Sequence, residues 1–306
     1  MRIAIAGASG LVGSALAKTL RAEGHEVTRI VRPGRASTGA GGSPMEEIPW
    51  DPSTGKIDLV ALEGADAVVH LGGSGIAEER WTAARKEILR KSRVESTRLL
   101  VDAMAGMRRK PRAFVCASAI GYYGNRGDEI LTETSGSGTD FLSGVAREWE
   151  GEALRAEASG TRTVRLRFGV ILAAEGGALP RMAMPFRFGA GGRLGSGRQW
   201  MSWITLEDAV EAARATIVDE RWSGALNVVA PEAVRNEEFK RALARVLRRP
   251  AIFPAPAFAL RLALGEMADA LLLVSQRVKP QKLMEAGFPF RFVDLEPALR
   301  AKLRGR

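Results

Sequence analysis

Gly7-Ala8-Ser9-Gly10-Leu11-Val12-Gly13 follows the short apolar run Arg2-Ile3-Ala4-Ile5-Ala6 and opens an amphipathic stretch over residues 11–23. The order strand, glycine turn, helix gives the pattern its meaning. Gly7 permits a tight turn, Gly10 lets backbone amides approach a pyrophosphate, and Gly13 lets the helix pack closely on the strand, while the helix N-terminus favours the anion. The stretch predicts a dinucleotide site built around Gly7, Ser9, Gly10, Leu11, Val12 and Gly13.

Working outward, strand-like runs at 2–6, 26–31, 67–71, 113–118 and 163–168 alternate with helical stretches such as 81–107 and 141–157. Such alternation is the mark of βαβ units and a parallel sheet covered on both faces. After Gly169 the pattern loosens into a glycine-rich loop at 189–197, a further strand at 225–229 and a helical tail. The expected fold is α/β, a Rossmann doubly wound parallel sheet with a smaller C-terminal α/β substrate lobe. Residues 1–170 form the nucleotide-binding domain, with later contributions from 200–230, and 171–306 form the smaller lobe and C-terminal helical domain.

The chain-wide quantities exclude several classes. Among 306 residues Cys116 is the only cysteine and His25 and His70 the only histidines, so neither a disulfide nor a metal centre is expected. No apolar run approaches the ~20 residues needed to span a bilayer, which predicts a cytoplasmic protein and no membrane partner. The net charge is +10. Its basic residues are scattered and accompany no nucleic-acid-binding motif, so a small-molecule substrate is the expected partner and nucleic acid is not. The apolar tail at 258–274 reads as a helix packed on the smaller lobe or as a homodimer contact.

At the end of the second strand, about 20 residues past the glycine turn, NAD enzymes place an acidic residue on the ribose hydroxyls. Here Arg32 stands instead, followed by Arg35. Arginine suits the extra 2′-phosphate of NADP, through charge-assisted and often bidentate bonds. NADP (NADPH) is therefore the expected cofactor.

The opening glycine motif resembles that of the extended short-chain dehydrogenase/reductases, which include nucleotide-sugar epimerases and dehydratases. Further matches are Val68-Val69-His70-Leu71-Gly72-Gly73, Ser118-Ala119-Ile120-Gly121-Tyr122-Tyr123-Gly124 and Ser202-Trp203-Ile204-Thr205-Leu206-Glu207-Asp208. A closer likeness is to a subgroup with a short C-terminal domain of unknown function, carried by Arg80-Trp81-Thr82, Ser92-Arg93, Arg147-Glu148-Trp149-Glu150, Gly177-Ala178-Leu179, Gly197-Arg198-Gln199 and Gln276-Arg277-Val278-Lys279-Pro280. The resemblance implies a cofactor along the C-terminal edge of the sheet, touching Leu71, Gly72 and Gly73. It also implies a serine or threonine that polarises the substrate oxygen, and a tyrosine that moves a proton with help from a lysine four residues later. A free tyrosine titrates near ~10 and needs such a cation to act at pH 7.

This chain departs from that pattern. The segment expected to hold the pair reads Phe141-Leu142-Ser143-Gly144-Val145, without phenol or ammonium. Tyr122 and Tyr123, the only tyrosines, are the remaining phenols, for proton transfer or for aromatic packing under a loop. Ser118 is the candidate polarising hydroxyl, although matching Tyr123-Gly124 to the family's Tyr-Gly leaves Ala119 in the serine position. Lys86 and Arg93 lie two turns apart on one helix face and are candidate substrate contacts, Lys86 reading also as an exposed helix lysine or as the missing cation. Arg193, Gln199 and Trp203, in or beside the glycine-rich loop, are substrate contacts or anchors of that loop. Arg167, at the end of its strand, is placed to meet the nicotinamide or a substrate anion. His70 and Cys116 read as core residues. The function expected is hydride transfer by an NADP-dependent oxidoreductase or epimerase on a sugar-nucleotide-like or other anionic polar substrate. The alternative is an NADP-binding sensor or assembly factor that keeps the fold without the chemistry.

Overall fold

β1 (Arg2–Ala6) can sit mid-sheet because both of its faces are apolar: Ile3 and Ile5 join Leu16 and Leu20 on one side, while Ala4 and Ala6 join Leu100 and Met104 on the other. This computed structural model describes residues 1–32 and 45–303, so the Arg35 expectation falls outside the described residues. From β1 the chain passes through α1 (Leu11–Ala22), β2 (Glu26–Val31), an antiparallel hairpin of β3 (Glu47–Asp51) and β4 (Lys56–Ile57), and the short α2 (Leu59–Leu62). Then come β5 (Ala67–His70), the long α3 (Ala83–Gly106), β6 (Ala113–Ala119), β7 (Ile130–Leu131), α4 (Phe141–Leu154), β8 (Arg162–Phe168) and β9 (Val170–Leu172). The remainder comprises α5 (Leu179–Arg187), β10 (Trp200–Met201), β11 (Trp203–Thr205), α6 (Leu206–Val218), β12 (Gly224–Val228), β13 (Val234–Arg235), α7 (Asn236–Leu247), α8 (Ala257–Leu264), β14 (Arg277–Val278), α9 (Gln281–Glu285) and α10 (Leu295–Leu303).

The central sheet runs β12-β8-β6-β5-β1-β2-β3-β4, with every pair parallel except β3 and β4. Strand order reverses at β1, which pairs β2 on one side and β5 on the other. A crevice opens at such a switch point, outside the carboxyl ends of the strands. The sheet is the Rossmann-like α/β architecture expected.

The later part of the chain does not form one body apart from this sheet. α6 packs with α1 on one face and β12 lengthens the sheet beside β8, so residues 206–228 belong to the nucleotide-binding half. The smaller lobe gathers around α5, α7 and α10, with Leu179, Phe186, Trp203, Phe239, Leu243 and Leu299 in its core. α8 buries none of its residues. The tail is stitched back across both parts: β14 pairs β7, and Gln276 Nε2 donates to the carbonyls of Ile120 and Gly124.

Candidate functional site

The turn between β1 and α1 is built for close approach. Gly7 adopts φ +85°, and a Cβ there would stand 2.6 Å from the Leu71 carbonyl carbon and 2.7 Å from the Gly72 nitrogen. A Cβ on Gly13 would stand 2.2 Å from the Gly7 carbonyl oxygen, so the helix can rest on the turn only with glycine at that position. Gly10 is different: a Cβ there meets only the Gly7 carbonyl oxygen, at 3.3 Å. The fold's demand for a missing side chain is thus milder at Gly10 than at Gly7 or Gly13, and a ligand lying against the turn would add to it. No side chain caps α1, and no acidic residue occupies its first turn. The amides of Leu11, Val12 and Gly13 therefore have no partner within the helix, at the end that carries the exposed Ser9 and Gly10. This cradle fits a dinucleotide pyrophosphate. Arg32 is exposed just past β2 and forms no ion pair with a described residue, and Leu71, Gly72 and Gly73 line the opposite wall at the end of β5.

Beneath the crevice lies a buried polar network that crosses three strands. Ser118 on β6, Arg167 on β8 and Asn227 on β12 lie side by side in register, directed toward α4. Ser118 Oγ donates to Glu150 Oε1 at 2.7 Å. Arg167 grips the same carboxylate through Nε and Nη2, each at 2.8 Å, and Arg165 Nη1 adds a further bond at 3.1 Å. Arg167 Nη1 also donates to the Tyr123 hydroxyl at 2.9 Å, and that hydroxyl lies 2.6 Å from Asn227 Oδ1 and 2.9 Å from the Thr132 carbonyl. Glu150 and Arg167 are each 3% exposed and Tyr123 is fully buried. Burial pushes the Tyr123 phenol up to about 12, although Arg167 and Asn227 pull it down.

This network corrects three expectations. Ser118 has committed its proton to Glu150, Tyr123 is a neutral strut, and Arg167 spends its fork on Glu150 and Tyr123 instead of on a ligand. Tyr122 differs from its neighbour: it is partly exposed, its ring lies 3.6 Å from the Arg167 guanidinium, and its hydroxyl has no hydrogen-bond partner among the described residues. The sequence reading missed Glu150 and Asn227 as members of the network, because only strand register brings 118, 167 and 227 together around helix residue 150.

Where the family pattern calls for tyrosine and lysine, Phe141 is capped edge-on by Trp81 at 5.4 Å and Val145 is core. Lys86 Nζ sits 4.9 Å above the Phe141 ring and pairs with Glu266, so its charge is answered across the two parts of the molecule. Arg93 sits under Gly73, with Nη1 on the Leu89 carbonyl and Nη2 on the Ser74 carbonyl, each at 3.0 Å. Two other candidates anchor the glycine-rich loop: Gln199 Nε2 donates to the carbonyls of Leu194 and Leu272, and Trp203, fully buried, donates to the Glu232 carbonyl. Trp203 therefore offers no stacking face. Arg193 is exposed on that loop. His70 is buried as a neutral ring, its pKa brought down to about 3 chiefly by burial; Nε2 meets Ser96 Oγ at 2.9 Å. Cys116 is buried too, its thiol raised to about 12.

Comparison with known proteins agrees with this geometry. The profile of the NAD dependent epimerase/dehydratase family matches residues 3–228, and that of a domain of unknown function, DUF1731, matches 255–301. An epimerase family protein of Mycobacterium leprae is 44% identical over 97% of this chain and 94% of its own. Epimerase family protein YfhF of Bacillus subtilis is 39% identical over 100% of this chain and 99% of its own. The crystal structure of the human epimerase family protein SDR39U1, solved with NADPH, superposes with a TM-score of 0.88 at 31% identity, with both chains wholly covered. A glycine cradle at the switch point, a doubly wound sheet and a matching tail thus agree that this chain belongs to the NAD-dependent epimerase/dehydratase family, in the form that carries a C-terminal DUF1731 domain.

Proposed function

We propose that the chain binds NADP(H) along residues 7–13 and Arg32 and carries out hydride transfer on an anionic, sugar-nucleotide-like or similarly polar substrate. The observation that carries the cofactor choice is the uncapped N-terminus of α1 together with an arginine that forms no ion pair with a described residue, and no carboxylate, just past β2. The NADPH in the human relative's structure supports it. When bound, the cofactor supplies or accepts the hydride. The amides of Leu11, Val12 and Gly13 hold its diphosphate, and Arg32 holds the 2′-phosphate, which NAD lacks. Tyr122 is the phenol left to hold and move a proton, since its hydroxyl meets no partner among the described residues and Arg167 backs its ring. The buried Ser118-Glu150-Arg167-Tyr123 network fixes the floor on which Tyr122 rests.

A second reading, an NADP(H)-binding protein without chemistry, is favoured by Phe141 and Val145. The test is turnover of a panel of nucleotide sugars and carbonyl compounds, followed by NADPH absorbance and by deuterium exchange at the substrate carbon. The enzyme reading expects exchange or oxidation that Tyr122→Phe removes without changing NADPH affinity. Silence across the panel with NADPH bound would favour the second reading.

A further inference from the structure

At the carboxyl end of the sheet most inward-facing cations have an anion. Arg165 and Arg167 share Glu150, Lys86 has Glu266, and Arg85 lies within 4 Å of Glu78 and Glu79. Arg93 has none: no carboxylate among the described residues reaches it, and its bonds go to the Leu89 and Ser74 carbonyls and, weakly, to Ser92 Oγ at 3.4 Å. Burial, with the nearby Arg85 charge, draws the guanidinium down to about 10. A charge withdrawn from water without a counter-ion is costly, and a bound anion would relieve it.

The position is the informative part. Arg93 Cζ would lie 3.3 Å from a Cβ built on Gly73, an exposed residue that lines the crevice, and the Trp149 ring supports its other side at 5.5 Å. We propose that Arg93 is a receptor for an oxyanion, phosphate or carboxylate, on a ligand that fills the crevice beside Gly72 and Gly73. The inference rests on the reading of this crevice as the ligand site. The oxyanion can come from the cofactor's diphosphate or from a second ligand. A guanidinium fork used only to clamp the Ser74 and Leu89 carbonyls would bind neither.

The test is calorimetric titration of inorganic pyrophosphate and NADPH into the free protein, and of UDP into the NADPH-saturated protein, for the parent, Arg93→Gln and Arg93→Lys. Arg93→Gln is expected to weaken at least one ligand about 10- to 100-fold and to flatten its salt dependence, the scale of a lost charged hydrogen bond. Loss confined to pyrophosphate and NADPH assigns the oxyanion to the cofactor; loss confined to UDP assigns it to a second ligand. Should Arg93→Gln fail to fold, Arg93→Lys keeps the charge but gives up the fork. A folded Arg93→Lys that weakens at least one of the three ligands supports the receptor, because a forked site does not accept lysine in place of arginine, and one that binds all three as the parent does overturns it. Unchanged affinity of Arg93→Gln for all three ligands overturns it as well. A parent that ignores NADPH yet takes pyrophosphate through Arg93 would sink the cofactor reading and leave this inference standing.

Discussion

Tyr122 and Tyr123 are adjacent in sequence and opposite in circumstance. Tyr123 is bonded from three sides, so Tyr123→Phe is expected to leave Arg167 and Asn227 short of a partner and cost about 1–3 kcal/mol, measured as a lower urea midpoint, with NADPH affinity unchanged. Tyr122→Phe is expected to stay within about 0.5 kcal/mol of the parent, because its hydroxyl bonds to none of the described residues. Sequence named both phenols and could not tell them apart, since their difference lies in what Arg167 and Asn227 bring from distant strands. His70 carries a second prediction. Its folded pKa, near 3, lies below the ordinary 6.5, because burial and the charges of Arg93 and Arg32 disfavour the imidazolium. Its contribution to stability is therefore complete above pH 6.5 and is lost as pH falls toward 3. Urea unfolding between pH 6.5 and 5, above the range where carboxylates titrate, should show stability falling with pH in the parent and a flatter response in His70→Gln.

At the scale of elements, the β1-turn-α1 unit was legible from sequence almost to the residue, because apolar periodicity and obligatory glycines coincide there. Gly13→Ala tests that unit: a methyl 2.2 Å from the Gly7 carbonyl must push the helix away, so loss of measurable NADPH binding and a drop of about 1–3 kcal/mol in stability are expected by titration and urea unfolding. The network around Glu150 was not legible. Its helix reads as an ordinary amphipathic segment, and Ser118, Arg165 and Arg167 become its partners only through the β6-β8 register. Glu150→Ala would strand Arg165 and Arg167 in the interior without a carboxylate, a change expected to cost about 3–5 kcal/mol, seen as a large fall in melting temperature. Retention of the parent's stability would mean that the buried pairing contributes nothing net.

For the whole molecule, sequence read the doubly wound half more faithfully than the rest. The inner strands β1, β5 and β6 are largely apolar runs, whereas β9, β10, β11, β13 and β14 are two or three residues long and carry no periodicity to read. The chain also returns to the sheet through α6 and β12 and then sends its tail across both parts, so the position of a residue in sequence is a poor guide to which part it serves. Glu266 shows this, reaching from the C-terminal domain to Lys86 above Phe141. What unites these parts is the crevice at the switch point, and its ligand decides what the molecule does. The most direct measurement is titration of NADPH and NADH into the purified protein alongside Arg32→Asp. NADPH is expected to bind at least about tenfold more tightly than NADH, with that preference lost or reversed in Arg32→Asp; equal or tighter binding of NADH by the parent, or no binding of either dinucleotide, would contradict the role given to residues 7–13 and Arg32.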